Sequence, residues 1–323
     1  MGQVPTTLPV AGRDYPATFQ ELTSWFHDEA ACAEYLEALR WPNGFVCPRC
    51  SATEFWRTAE GLFLCRACRK RTSITSGTIF HRSHLSLTTW FAAIWLVTAT
   101  KNGISALSLQ DELGLGSYDT AWALLHRLRR VMVRPGRERL SGLVEVDEIY
   151  VGARESGVDG RLVHGKAIVI CAVELREPKG LGRVRLRIVP EASRNQIFDF
   201  IQSSIERGAR VRTDGWNVYD TLPEHGYLHE PISVKSTGRP AHVVLPGVHR
   251  VASLLKRWIA GTLQDGVSHA HLAYYLDEFT FRFNRRNSTR RGLLFYRLLD
   301  QAVHADPVRF GEIVGGSADP HIL

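Results

Sequence analysis

A chain of 323 residues with 44% hydrophobic and 23% charged side chains has the apolar content for more than one packed domain. It has no uncharged run of about 18 apolar residues, which a membrane-spanning helix needs. A formal charge of +7 and a pI near 9.2 set it apart from acidic, self-solvating chains and favour a polyanionic partner, because Lys and Arg displace the counterions condensed on phosphates.

The opening residues, Met1 to Pro16, lack the basic start and apolar centre of a secretory leader, so a cytoplasmic protein is expected. Spotted with Pro and Gly, residues 1–16 read as a disordered tail. Residues 17–44 read as a short helical region. Thr18 is placed to cap it with Glu21 three residues on, and Trp41-Pro42-Asn43-Gly44 ends it. Residues 45–80 read as short strands around two cysteine pairs. Cys47-Pro48-Arg49-Cys50 is followed, after fourteen residues, by Cys65-Arg66-Ala67-Cys68. Four thiolates brought to one point suit a closed, structural Zn²⁺ site, and a ribbon this small needs the metal to hold it together. Cys32 and Cys171 stand alone and read as packing residues. Arg66, Arg69, Lys70 and Arg71 crowd the second knuckle, where they could face DNA or only water.

Residues 85–135 read as three helices, with Gly114 and Gly116 ending the second and Ser117 capping the third. Two short helices joined by a glycine turn, the second one basic, fit a helix-turn-helix. Arg127 and Arg130 are its candidate DNA contacts. Beyond Arg134-Pro135-Gly136 the pattern becomes α/β over residues 141–286. Leu143–Val151, Ala167–Leu175, Val184–Val189, Arg210–Thr213 and His229–Val234 read as strands; Ser193–Glu206, Val248–Ala260 and His269–Arg282 read as helices. The fold class expected is therefore multidomain α+β, ending in an α/β domain with a mixed sheet. Residues 287–323 are expected to be a C-terminal tail.

Acidic residues interrupt the apolar strand Leu143–Val151 at Glu145, Asp147 and Glu148. Buried carboxylates are costly unless something pairs with them, and a divalent cation is one such partner. Alternation puts Glu145 and Asp147 on one face and Glu148 on the other, and does not choose among them. Asp214 ends a short strand beside Gly215, a place where a carboxylate meets a ligand or merely begins a turn. His249 lies near a helix start, and Lys256, two turns later, shares its face.

Taken together, these tracts resemble the bacterial insertion-sequence transposases that carry an N-terminal zinc ribbon ahead of a DDE-type catalytic domain. The resemblance is carried by Val248 to Thr262, by Tyr275 to Arg286, by Glu145-Val146-Asp147-Glu148, by Thr213-Asp214-Gly215 and by the cysteine pairs. It implies an RNase H-like domain with Asp147 and Asp214 as metal ligands. The third ligand of that family is Glu, Asn or His; counting back seven from the matching Lys256 gives His249, a DDH variant. Two Mg²⁺ or Mn²⁺ ions are implied, with imidazole suiting Mn²⁺ better than Mg²⁺. Also implied are Lys256 near the scissile bond, and Arg257, Arg282, Arg285 and Arg286 on DNA. The partners expected are the terminal inverted repeats, target DNA and a second copy of the chain. Two other readings stay open: a DNA-binding regulator without catalysis, and an RNase H-like nuclease that cuts without joining.

Overall fold

The computed structural model describes residues 8–316 except 135, 153–165, 177, 179, 233–237, 239–240 and 264–266. Near the start, the Thr18 hydroxyl accepts the Glu21 N–H and caps α1 (Phe19–Trp25). The Glu21 carboxylate reaches back one residue further than a capping box requires, to the Ala17 N–H at 2.6 Å. Asp28 caps α2 (Glu29–Arg40) by accepting the Ala31 N–H. The ribbon follows as three very short antiparallel strands, β1 (Phe55–Arg57), β2 (Phe63–Cys65) and β3 (Arg71–Thr72). The Arg40 guanidinium ties α2 to it through the carbonyls of Ser73, Ile74 and Ser76.

Serine N-caps then open α3 (Leu87–Ala99) at Ser86, α4 (Ala106–Leu113) at Ser105 and α5 (Tyr118–Arg130) at Ser117. Gly114, with φ +59°, ends α4 in the left-handed conformation, where an L side chain is strained, and so turns the chain into α5.

The second half is built on a five-stranded sheet: β4 (Leu143–Val151), β5 (Ala167–Leu175), β6 (Leu181–Val189), β7 (Arg210–Thr213) and β8 (Leu228–Pro231). Its order is β6-β5-β4-β7-β8. β5 runs antiparallel to its neighbours β6 and β4, whereas β7 and β8 run parallel to β4. This is the mixed sheet that an RNase H-like domain implies. β6 begins three residues before the sequence pattern suggests. Of the strand expected over 229–234, the last two residues lie outside the described ones.

Helix α6 (Arg194–Ser204) covers one face of this sheet, where Val144, Val146, Ile170, Ala172 and Val211 meet Ile197, Phe200 and Ile201. After α7 (Ala241–Val244), helices α8 (Pro246–Leu263) and α9 (Leu272–Asn284) cover the other, with Val248, Val251, Leu255 and Phe279 against Val169, Cys171 and Val173. Each such side chain stabilises the fold by roughly 1.5–3 kcal/mol when fully buried. No helix among the described residues is long and apolar enough to cross a membrane.

Both expected tails need correction. Residues 291–304 form α10 (Arg291–His304), with Leu294, Phe295, Leu298, Leu299, Ala302 and Val303 buried, and a short α11 (Phe310–Val314) follows. The apolar spacing of a helix is present in this segment, but the arginines before it mask it. Residues 1–132 and 288–314 belong to one compact unit and residues 133–287 with 315–323 to another, so α10 completes the first. At the other end, residues 1–7 of the expected tail lie outside the described residues, whereas residues 8–16 are among the described ones. Tyr15 is buried, and a Cβ on Gly292 would lie 1.8 Å from the Pro16 carbonyl oxygen, a close approach that requires glycine there.

Candidate active site

Two knuckles of the same design hold the cysteines of the ribbon. In one, the Ser51 N–H donates to the Cys47 carbonyl and the Cys47 N–H to that of Ala52; in the other, Arg69 and Cys65 donate to Cys65 and Lys70. Ser51 and Arg69, the residue after each second cysteine, take positive φ, at 61° and 59°. Among the described residues these four cysteines are the one group of three or more candidate ligands whose donor atoms all lie within 4.8 Å of one another. Cys47 and Cys68, and Cys50 and Cys65, bring their sulfurs to 3.6 Å. Four soft donors so placed fit a tetrahedral, closed Zn²⁺ site. The clustered thiols titrate together. Burial raises Cys47, but the N–H groups of Arg49 and Cys50 and the neighbouring sulfurs outweigh it and bring it down to about 6, while the same sulfurs push Cys50 up to about 12.

On the ribbon's outer face the register aligns Trp56, Leu64 and Arg71 in one cross-strand row. Trp56 is 46% exposed, and the guanidiniums of Arg66 and Arg69 lie 5.1 and 4.9 Å from its ring centroid. Arg66 is also paired with Glu54 at 3.0 Å.

In the sheet unit, β4 and β7 are parallel neighbours with Glu145 opposite Arg212. Two residues beyond Glu145, in the middle of β4, stands Asp147, and two beyond Arg212, just past the end of β7, stands Asp214, so the pairing of the two strands leads toward both carboxylates. Neighbouring strands lie about 4.8 Å apart, close enough for two such groups to share a ligand. Both are half-buried, which leaves them reachable. The Asp147 carboxylate accepts the N–H of Glu148, and that of Asp214 accepts the N–H of Trp216. His249 comes from the first turn of α8, the helix covering the β4 face that carries Glu145 and Asp147. His249 thus lies on the helix packed over the face of β4 that carries Asp147. Asp147, Asp214 and His249 do not form a group with all donor atoms within 4.8 Å, as the cysteines do.

Around them lie the other two acidic residues of β4, together with Tyr219, Thr213 and His229, which the sequence pattern did not single out. Glu148 points to the opposite face, where it accepts the Tyr219 hydroxyl at 2.5 Å. Burial, then Glu148, Asp147 and Asp214, push the Tyr219 phenol well above its ordinary range, so it stays a protonated donor beneath the carboxylates. The Thr213 hydroxyl and His229 Nε2 are 2.9 Å apart just below Asp214. Glu145 is fully buried. Burial raises its pKa, and the N–H groups of Val248 and Gly247 and the charge of Arg212 offset part of that rise.

Comparison with known proteins places this geometry. Residues 139–284 match the ISXO2-like transposase domain, and residues 27–71 match the transposase zinc-ribbon domain. A curated relative, an uncharacterized protein in transposable element ISH50 of Halobacterium salinarum, is 28% identical over 276 residues, which cover 80% of this chain and 91% of the relative. The chain carries the two domains of an insertion-sequence transposase. Both domains imply DNA as the partner. The zinc-ribbon match begins at residue 27 and so includes α2, whose Arg40 braces the ribbon.

Several of the residues expected to contact DNA also have partners inside the fold. Arg282 pairs with Glu278 at 2.7 Å, with its side chain 13% exposed. Arg285 lies over the Phe281 ring at 4.2 Å. Arg286 donates to the carbonyls of Leu181, Gly182 and Phe283. Arg127 donates to the Val308 carbonyl, and burial lowers its pKa. Arginine-rich tracts suggest phosphates; in this structure Glu278, backbone carbonyls and rings hold these guanidiniums. Arg130 is half-buried, whereas Lys256 and Arg257 are exposed on α8.

Proposed function

We propose that this transposase binds the terminal inverted repeats of its element, cuts there, and joins the freed 3′ end to target DNA at Asp147, Asp214 and His249. The observation that supports the reading is the parallel pairing of β4 and β7 through Glu145 and Arg212, two residues before Asp147 in β4 and Asp214 just past β7. Two carboxylates and an imidazole are a donor set suited to Mn²⁺ and, with one carboxylate fewer than a DDE site, less suited to Mg²⁺. Two divalent ions held there would supply an activated water and stabilisation of the leaving 3′-oxygen. The chain's own part is positioning. Tyr219 holds Glu148 away from the reacting face, and the Asp214 carboxylate is fixed by the Trp216 N–H. Lys256, exposed two turns after His249, is placed to receive a phosphate.

The ribbon is proposed to grip the repeat through its outer face. Stacking on Trp56 pre-orders the planes of Arg66 and Arg69, so less freedom is lost when they meet phosphates. A second copy of the chain is expected on DNA, since two element ends are processed.

Strand transfer by purified protein with labelled element ends, in Mg²⁺ and in Mn²⁺, tests the reading. Wild type should join ends, Asp214→Ala should not, and His249→Glu should shift metal preference toward Mg²⁺. End binding without strand transfer in either metal would leave a DNA-binding regulator, and cutting without joining would leave a nuclease.

A further inference from the structure

Helix α8 opens at Pro246. Leu245 precedes it and has no side-chain oxygen, yet the N–H groups of Gly247 and Val248 at its start are buried. Such orphan donors need an acceptor. It comes from another element: Glu145 Oε2 on β4 accepts the Gly247 N–H at 2.7 Å and the Val248 N–H at 3.1 Å. The other oxygen, Oε1, faces the Arg212 guanidinium at 3.9 Å, and Arg212 in turn donates to Glu230. The join is closely fitted. A Cβ at position 247 would lie 2.7 Å from Glu145 Oε2 and 2.8 Å from Leu175 Cδ2, so a side chain there must either push the Glu145 carboxylate off the two N–H groups or shift the helix start.

This charged layer is set one register step below the carboxylate pair. Glu145 and Arg212 are partners across β4 and β7, and Asp147 and Asp214 come two residues later. The next residue after the clamped N–H groups is His249. We infer that Glu145 is a positioning residue: it seats the first turn of α8 on β4 and thereby fixes His249 relative to Asp147 and Asp214. The inference rests on the reading of those three as metal ligands. A negative charge at a helix N-terminus is favourable in itself, and a carboxylate makes both bonds with one oxygen.

The test is Mn²⁺ affinity, read by electron paramagnetic resonance on the full chain with end DNA, beside thermal unfolding of each variant. Glu145→Ala and Gly247→Ala should each weaken Mn²⁺ binding about 10-fold or more, the range seen when groups that orient ligands are removed. Glu145→Gln, whose amide oxygen still accepts both N–H groups, should recover most of that affinity. Val211→Ala, in the core on the far side of the sheet, should lower the unfolding temperature and leave Mn²⁺ affinity unchanged. Should Glu145→Ala not fold, Gly247→Ala, which keeps every charge, carries the test. Folded Gly247→Ala with wild-type Mn²⁺ affinity overturns the clamp while leaving the metal site standing. Wild-type protein showing no Mn²⁺ uptake that Asp147→Asn abolishes overturns the metal reading itself.

Discussion

The Glu174 carboxylate accepts the N–H groups of Ser141 and Arg183 and is gripped by the Arg183 guanidinium. Burial raises its pKa, but Arg183 more than offsets this and holds it below the ordinary carboxylate range. A depressed folded pKa means that the stabilisation is present above the unfolded value, about 4.3, and is lost as pH falls through the folded one. Thermal unfolding followed from pH 7 to pH 3 should show an acid limb below about pH 5 that Glu174→Gln flattens. At neutral pH the substitution should cost about 1.5–3 kcal/mol, the worth of hydrogen bonds to a charged group. An unchanged limb would show that other carboxylates govern acid stability.

Single residues were also the most legible level of the sequence. The spacing of Cys47, Cys50, Cys65 and Cys68 announces a tetrahedral site whatever surrounds it. Strand alternation placed Glu145 with Asp147 and Glu148 opposite, as their partners at Gly247 and Tyr219 show. What alternation does not carry is the use made of Glu145. That depends on a helix about a hundred residues away, and Gly247 reads as a helix weakener until its neighbours are known.

At the scale of elements, β6 is the edge of the sheet, and a strand edge with unpaired groups invites foreign pairing. Helix α9 closes it. Asn284 accepts the Val184 N–H at 2.7 Å and donates to the Val184 carbonyl at 3.2 Å, doing with a side chain what a sixth strand would do with its backbone. Arg286 takes the carbonyls of Leu181 and Gly182 next to it. Asn284→Ala should therefore cost roughly 1–3 kcal/mol and speed hydrogen exchange at Val184 without changing DNA affinity. A loss of DNA affinity in a fully stable variant would return this tract to the DNA interface. Sequence alone could not separate these roles, because an Arg-Arg pair offers the same donors to a phosphate as to a carbonyl. The ribbon's outer face supplies the opposite prediction. Removing Arg66 and Arg69 together should lower the slope of log affinity against log salt by about 1.8, roughly 0.9 for each phosphate no longer neutralised. An unchanged slope, with the four cysteines still holding zinc, would exclude this face.

For the molecule as a whole, the chain leaves the ribbon-bearing unit near residue 132 and re-enters it near residue 288. Phe295 is the centre of the returning helix, with its ring 6.0 Å or less from those of Phe26, Phe91 and Trp95. Phe295→Ala should cost about 3–5 kcal/mol, read as an earlier thermal transition of that unit by Trp fluorescence. The sheet unit should melt as in wild type. The segmental reading failed here because it cut the chain into successive blocks, and a unit closed by a distant segment shows no boundary signal of its own.

That arrangement orders events during synthesis. On the ribosome the five strands and their covering helices are complete before residue 291 is made, whereas the half of the protein made first must wait for a helix made near the end. A message cut short beyond residue 287 would yield a finished sheet joined to an unfinished ribbon-bearing half, so premature termination would surface as a folding defect in the opposite part of the polypeptide, the part proposed to find the element's ends.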